Sequence, residues 1–394
     1  MEQVRFGIVG LGNMGSGHLK NLFGGKVPGA VLTAVCDIKQ DRLDWAKEHC
    51  GDADIAYFTD YKEMLTSGKI DAVMIATPHY LHPIIGMDAF DAGIHVLSEK
   101  PIGVYTKKVY EFMAKAEEHP ELTFGIMYNQ RTDCFYQKMR EMVQNGELGE
   151  LKRCIWIITD WYRTQAYYNS GGWRATWAGE GGGVLMNQCP HQLDLWQWIC
   201  GMPVAVQSNM KFGQWHDIEV EDDVTAYFEY SNGATGVFIT TTGEHPGTNR
   251  LEISGRKGKL LVENDKLIYY KTEDLEKYIK ESANGFGNPE TQRIEVETDG
   301  ENLQHVGICR NFTNAILGKE ELFVDGTEGI NGVELMDAML LSTWLDKPVQ
   351  IPIDDDLYYE ELKKRIAVSR RKENVVETVL DTEGTYGSVV KEKK

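Results

Sequence analysis

The chain reads as an α/β protein: an N-terminal doubly wound parallel sheet joined to an α+β half with a large, mostly antiparallel, open-faced sheet. Three observations predict it. Short apolar runs alternate with amphipathic stretches through the first third, the pattern of parallel strands covered on both faces by helices. A glycine turn, Gly10-Leu11-Gly12-Asn13-Met14-Gly15, follows directly on the first apolar run. Beyond about residue 127 the rhythm changes to longer alternating or β-branched runs separated by turn residues. At 394 residues the chain exceeds one ordinary core, which predicts two domains, 1–127 and 128–394.

In the first domain, strands are expected at 4–9, 30–37, 72–76, 95–99 and 123–127, with helices at 14–23, 41–50, 61–65, 81–92 and 106–119. A helix at 135–146 opens the second domain. Strands follow at 151–159, 204–211, 224–230, 235–242, 249–254 and 258–263, with turns such as Ser231-Asn232-Gly233 and Arg256-Lys257-Gly258 between them. Helices at 303–317 and 332–345 either cover this sheet or return toward the first domain. The uncovered sheet face needs a partner, and Trp156, Ile158, Phe228, Phe238 and Ile239 are the apolar residues expected across it. The polar tail after Thr382 is expected to be loosely ordered.

A net charge of −19 disfavours nucleic acid, because no basic face offsets phosphate repulsion. No apolar run approaches the roughly 20 residues of a membrane span, and the N-terminus enters a strand without a signal-peptide pattern. The seven cysteines are scattered and form no CxxC pair, which predicts reduced thiols, a cytoplasmic location and no metal site.

The glycine turn gains meaning from its context. Gly10 permits a tight turn, Gly12 lets the backbone approach a diphosphate, and Gly15 allows close helix–strand contact. The diphosphate then sits on free N–H groups at the helix start, Asn13 and Met14. Asp37, 22 residues beyond Gly15, has the spacing of the acid that binds the adenosine ribose. A carboxylate there repels a 2′-phosphate, so the expected cofactor is NAD rather than NADP, with nearby Lys39 as the feature that would soften the preference. Thr77 and His79 end the third strand-like run, at the edge that meets the nicotinamide half. His82 stands one helical turn further on, without a third ligand for a metal.

Glu99-Lys100-Pro101, ending another strand, resembles a motif of the Gfo/Idh/MocA oxidoreductases, the group of glucose–fructose oxidoreductase and inositol dehydrogenase. The likeness spans roughly residues 4–350. It implies that Glu99 and Lys100 face the cofactor, and that Lys100 hydrogen-bonds the substrate hydroxyl and favours the developing alkoxide. The second match is Gly181-Gly182-Gly183, followed by Asn187, His191 and Asp194. The resemblance makes His191 the catalytic partner of Lys100. Relatives often carry aspartate where Asn187 stands. Asn187 can orient His191 but supplies no charge, and Asp194, at helical i+3, is the expected substitute or binds a neighbouring hydroxyl. A plainer alternative makes Asn187 a helix N-cap with Pro190 in the first turn.

Between Trp161 and Trp177 lie six aromatic residues with arginines interleaved, a segment that resembles the family's substrate-covering loop. Tyr162, Arg163, Tyr168, Trp173 and Arg174 are the expected substrate contacts, alongside Asn187 and Asp194. The resemblance implies a first domain that binds NAD and a second that binds substrate and assembles a homodimer or homotetramer through its open sheet. The implied reaction is oxidation of a secondary hydroxyl of a sugar, a glycoside (for example at C3) or a cyclitol. An inositol oxidised at C2 and a glycoside hydrolase that recycles its NAD remain as alternatives.

Overall fold

The computed structural model describes residues 2–370 together with Lys372, Val375, Val376, Thr378 and Leu380, so the tail after Thr382 lies outside the described residues. Strands β1 (Val4–Val9), β2 (Ala30–Cys36), β3 (Ala56–Phe58), β4 (Ala72–Ile75), β5 (His95–Ser98) and β6 (Phe124–Ile126) form one sheet in the order β3-β2-β1-β4-β5-β6. Every pairing is parallel. Helices α1 (Asn13–Phe23), α2 (Gln40–Cys50), α3 (Tyr61–Thr66), α4 (Leu81–Asp91) and α5 (Thr106–Glu117) connect the strands. Such crossovers bury both sheet faces, which is why β4, Ala72-Val73-Met74-Ile75, carries no polar residue. The order reverses between β1 and β4. Their following loops diverge there and leave a crevice at the carboxyl edge.

The second half contains α6 (Cys134–Gln144), β7 (Leu151–Ile158), α7 (Gln165–Tyr168), α8 (Val184–Asn187), α9 (Pro190–Cys200), β8 (Ala205–Phe212), β9 (Glu221–Glu229) and β10 (Thr235–Thr241). β11 (Asn249–Gly255), β12 (Gly258–Glu263), β13 (Lys266–Thr272), α10 (Leu275–Glu281) and β14 (Thr291–Glu295) follow. The chain then runs through α11 (Gln304–Ile316), α12 (Gly329–Leu345), β15 (Val349–Gln350) and α13 (Asp355–Ala367). Nine strands make one sheet in the order β14-β13-β12-β11-β7-β10-β9-β8-β15. Its pairings are antiparallel except β7 with β10. Helix α11 returns to the first sheet: Phe312 lies 6.1 Å from the Phe6 ring and fills the space that a Cβ on Gly125 would need. Helix α12 packs on β8, where Ser208 N donates to Ser342 Oγ at 3.1 Å.

Strand alternation corrects the expected open face. Trp156, Ile158, Phe228 and Phe238 point inward and are fully buried. Trp196 of α9 packs on Phe228 and Phe238 at 5.3 and 6.0 Å, entering above Gly236, where a Cβ would meet its ring at 2.5 Å. Side chains one residue out of phase face the other way. Of the five expected residues only Ile239 is on the outer face, where it pairs with Ile157, beside Val237 paired with Ile155. Tyr227, 42% exposed, extends the same face.

Candidate active site

A cavity of about 1020 Å³ opens at the crevice between the two sheets. Its floor is the glycine turn. Gly10 has φ +90°, and a Cβ there would meet Ala76 O at 2.6 Å; a Cβ on Gly15 would lie 1.8 Å from Gly10 O. Gly12 has open space around it and caps α1 without a side-chain bond, so the helix start presents its N–H groups to the cavity. Asp37 Oδ2 accepts from Leu11 N at 2.7 Å and Oδ1 from Lys39 N at 2.9 Å, which ties the carboxylate to the turn. Arg42 donates to Leu11 O and to Ser16 Oγ, each at 2.8 Å. These residues fit a dinucleotide: a backbone cradle that admits no Cβ at Gly10 or Gly15, a helix start free of side-chain caps, and a carboxylate at the far end.

Thr77 and His79 line the opposite wall, with Thr77 Oγ1 and His79 Nδ1 buried and without partners among the described residues. Burial, then the charges of His82 and Lys100, holds His79 neutral, well below its usual pKa. His82 braces two loops, its ring nitrogens 2.7 Å from the carbonyl oxygens of Thr77 and Pro101. Glu99 borders the cavity, but its carboxylate is engaged by the protein. Oε1 lies 2.6 Å from His18 Nε2 on α1, and Oε2 accepts from Lys100 N at 3.2 Å. Burial opposes both charges in this pair. The neighbouring Cys309 and Glu99 nonetheless raise His18 to about 10, and the bond to His18 lowers Glu99 to about 2. The pair locks the glycine-turn helix to the turn that carries Lys100.

Lys100 and His191 border the same cavity from distant parts of the chain. Lys100 Nζ donates to the backbone oxygen of Asn187 at 2.7 Å. Burial lowers the Lys100 pKa, and the carboxylates of Glu99 and Glu180 counter that effect. His191 follows Pro190, the first residue of α9, whose N-cap is Cys189; Asn187 instead ends α8, which corrects the N-cap alternative. His191 is 2% exposed, and both ring nitrogens lack partners among the described residues. Burial, reinforced by Lys100, holds it neutral, well below its usual pKa.

The substrate wall departs from expectation at three residues. Arg163, Trp173, Arg174 and Asn187 line the cavity, with Trp173 edge-on to His79 at 5.6 Å. Asp194 does not. It turns away from His191 into a buried bidentate pair with Arg131, whose Nε donates to Oδ2 at 2.8 Å. A buried carboxylate needs a counter-charge, and Arg131 provides it more fully than a neutral imidazole. Burial opposes the Arg131 charge, but Asp194 and then Glu328 raise its pKa further still. Tyr168 is buried with its hydroxyl 2.7 Å from Thr242 Oγ1, and Tyr162 faces outward, its ring 5.7 Å from His245. Successive residues of the short helix α7 turn about 100° apart, so Tyr167 lines the cavity while Tyr168 points to Thr242.

Residues not singled out from sequence complete the wall. Tyr167 Oη donates to Asn187 Oδ1 at 3.1 Å and receives Arg174 Nη1 and Gln188 Nε2, each at 3.0 Å. Glu180 accepts from Asn187 Nδ2. Its only sequence signal was its place directly before the glycine run. Thr378 and Leu380 of the C-terminal segment also reach the cavity, with Leu380 N donating to Asn13 Oδ1 at 2.8 Å. That bond engages a side chain expected to meet the cofactor. Among the described residues no group of three His, Cys, Asp or Glu side chains is placed to hold a metal, and no helix is long and apolar enough to cross a membrane.

Residues 4–125 match the oxidoreductase family with an NAD-binding Rossmann fold, and residues 136–261 match the GFO/IDH/MocA C-terminal domain. The chain belongs to the Gfo/Idh/MocA family. The chain is similar to the uncharacterized oxidoreductase YrbE of Bacillus subtilis, 25% identical over 89% of this chain and 97% of that protein. The myo-inositol 2-dehydrogenase of Thermotoga maritima is 27% identical over 66% of this chain and 75% of its own. The WlbA dehydrogenase of Bordetella pertussis, solved in complex with NADH and UDP-GlcNAcA, superposes with a TM-score of 0.74 at 25% identity, covering 89% of this chain and all of that one. As a Gfo/Idh/MocA protein with this cofactor crevice, the chain is a nicotinamide-dependent oxidoreductase.

Proposed function

We propose that this protein is an NAD-dependent dehydrogenase that oxidises a secondary hydroxyl of a sugar, glycoside or cyclitol. One observation carries the reading: a neutral, buried imidazole whose nitrogens have no partner among the described residues shares a cavity wall with a lysine ammonium. His191 accepts the hydroxyl proton, for which a neutral ring is required. Lys100 donates to the same oxygen as negative charge builds on it. Gly10, Gly12, Asn13, Met14 and Asp37 would hold NAD, which would supply the hydride acceptor. Trp173 and Tyr167 offer aromatic faces to the C–H side of a ring, and Arg163 and Arg174 offer donors to its hydroxyls. These features support a hexopyranose or glycoside oxidised at a ring carbon such as C3. An inositol is the second reading, favoured by the likeness to the Thermotoga enzyme.

The carboxylate of Asp37 supports NAD over NADP. The outer sheet face, with Ile155, Ile157, Val237, Ile239 and Tyr227, supports assembly as a homodimer or homotetramer, which sedimentation checks. The seven unpaired thiols support a cytoplasmic setting. The direct test is a spectrophotometric screen of NAD reduction against cyclitols, free hexoses and glycosides. NADH accumulating with one class supports the reading; sugar release without net NADH points to a hydrolase that recycles its cofactor.

A further inference from the structure

We propose that Glu180 is a positioning residue of this site: its carboxylate orients the Asn187 side chain and supplies the negative charge that holds the Lys100 ammonium at the cavity. The inference rests on the reading of Lys100 as the group that meets the substrate oxygen. Glu180 stands behind the wall, 2% exposed. One of its oxygens accepts from Asn187 Nδ2 and the other from Ala175 N. With Nδ2 engaged, Asn187 Oδ1 faces Tyr167 Oη, while the Asn187 backbone oxygen receives Lys100 Nζ. One carboxylate therefore fixes the residue to which the lysine is bound.

The charges around the lysine point the same way. A buried ammonium needs a nearby anion. Glu99 is adjacent in sequence, but its charge is already met by His18. Glu180 acts on Lys100 next after Glu99, and although burial pushes its own carboxyl up, Arg174, its bonds from Ala175 and Asn187, and Lys372 favour its charged form. The titratable groups around it are Arg174 in its own loop, Lys372 of the C-terminal segment, Lys100, Tyr168 and Glu221. The competing role is mechanical: Glu180 closes a tight loop in which Ala175 has φ +52°.

Glu180→Gln separates the two roles, because glutamine keeps an acceptor for Ala175 N and removes the charge. The first readout needs neither cofactor nor substrate: the pH dependence of Lys100 labelling by a small acylating reagent, followed by mass spectrometry. Loss of the anion destabilises the ammonium, so labelling in E180Q is expected to begin about one pH unit or more lower than in the parent protein. In turnover, kcat is expected to fall roughly ten- to a hundred-fold with KM for NAD unchanged, the size seen when a partner behind a working group is removed. The double variant E180Q/N187D returns a carboxylate one residue nearer the lysine and is expected to recover both readouts. An unmoved labelling curve in E180Q overturns the proposal. So does a double variant as impaired as E180Q with the same lowered melting temperature, which marks a purely mechanical role. If the parent protein reduced no NAD with any polyol, the dehydrogenase reading would fail, while the labelling shift would still report on Glu180.

Discussion

The two walls of the cavity are built by different means. The cofactor wall is backbone: three glycines, a helix start and one carboxylate, all within residues 10–37. The substrate wall is side chain: Lys100, Tyr167, Trp173, Arg174, Asn187 and His191 converge from separate segments, and hydrogen bonds link Lys100, Tyr167, Arg174 and Asn187 among them. A backbone wall tolerates no added atom at its tight positions, Gly10 and Gly15, but needs few particular side chains. A side-chain wall tolerates local change in shape but depends on charges placed behind it, as with Glu180 behind Asn187.

The largest expected effect breaks the backbone wall. Gly15→Val places a Cβ against Gly10 O and is expected to abolish NAD binding with a marked loss of stability. Gly12→Ala, with open space around it, is expected to fold as before within about 0.5 kcal/mol and lose only cofactor affinity. Cofactor fluorescence and thermal melts read both. Next is the buried pair. Arg131→Met leaves Asp194 without its counter-charge and is expected to cost about 3–5 kcal/mol by urea unfolding, with cofactor contacts untouched.

Trp173→Ala is expected to raise KM for the sugar about tenfold with little change in kcat, since it removes binding shared by ground and transition states. A fall in kcat alone would place the ring at the reacting centre. Asp37→Ala is expected to weaken NAD about tenfold and narrow the gap to NADP, read from the two kcat/KM values. An unchanged ratio removes Asp37 from the ribose.

The most gradual effect concerns the pair that joins the walls. His18 has a native pKa near 10 against an ordinary 6.5, so its contribution to stability is full below pH 6.5 and is lost as pH rises toward 10. Glu99, near 2 against an ordinary 4.5, contributes fully above pH 4.5 and loses its contribution as pH falls toward 2. Unfolding midpoints across pH should show a plateau between those limits, and His18→Gln should flatten the alkaline slope.

What the sequence made legible follows the same division. The glycine turn, Asp37 and the alternation of β and α are local patterns with backbone causes, and they placed the parallel sheet and the crevice. The hairpin joining β12 and β13 was missed although Asn264 and Asp265, both at positive φ, are suited to its two-residue turn. β3 and β15 have three and two residues, too few to show a period. The phase of the second sheet was read one residue off because β7 and β10 carry apolar side chains on both faces, so alternation alone did not say which faced the helices. In the site, Lys100 and His191 stood in recognisable motifs. Arg131, Tyr167, Glu180 and Leu380 are defined by partners up to 367 residues away, and no local spacing encodes such a meeting.

The account turns on Lys100 and His191 serving one oxygen in this cavity. The direct measurement is single-turnover NADH formation by Lys100→Met and His191→Asn, each with its NAD dissociation constant and melting temperature. The account predicts losses on the order of 10³-fold for the lysine and 10²-fold or more for the histidine, with cofactor affinity and stability retained. Turnover near the parent rate in either variant would contradict it.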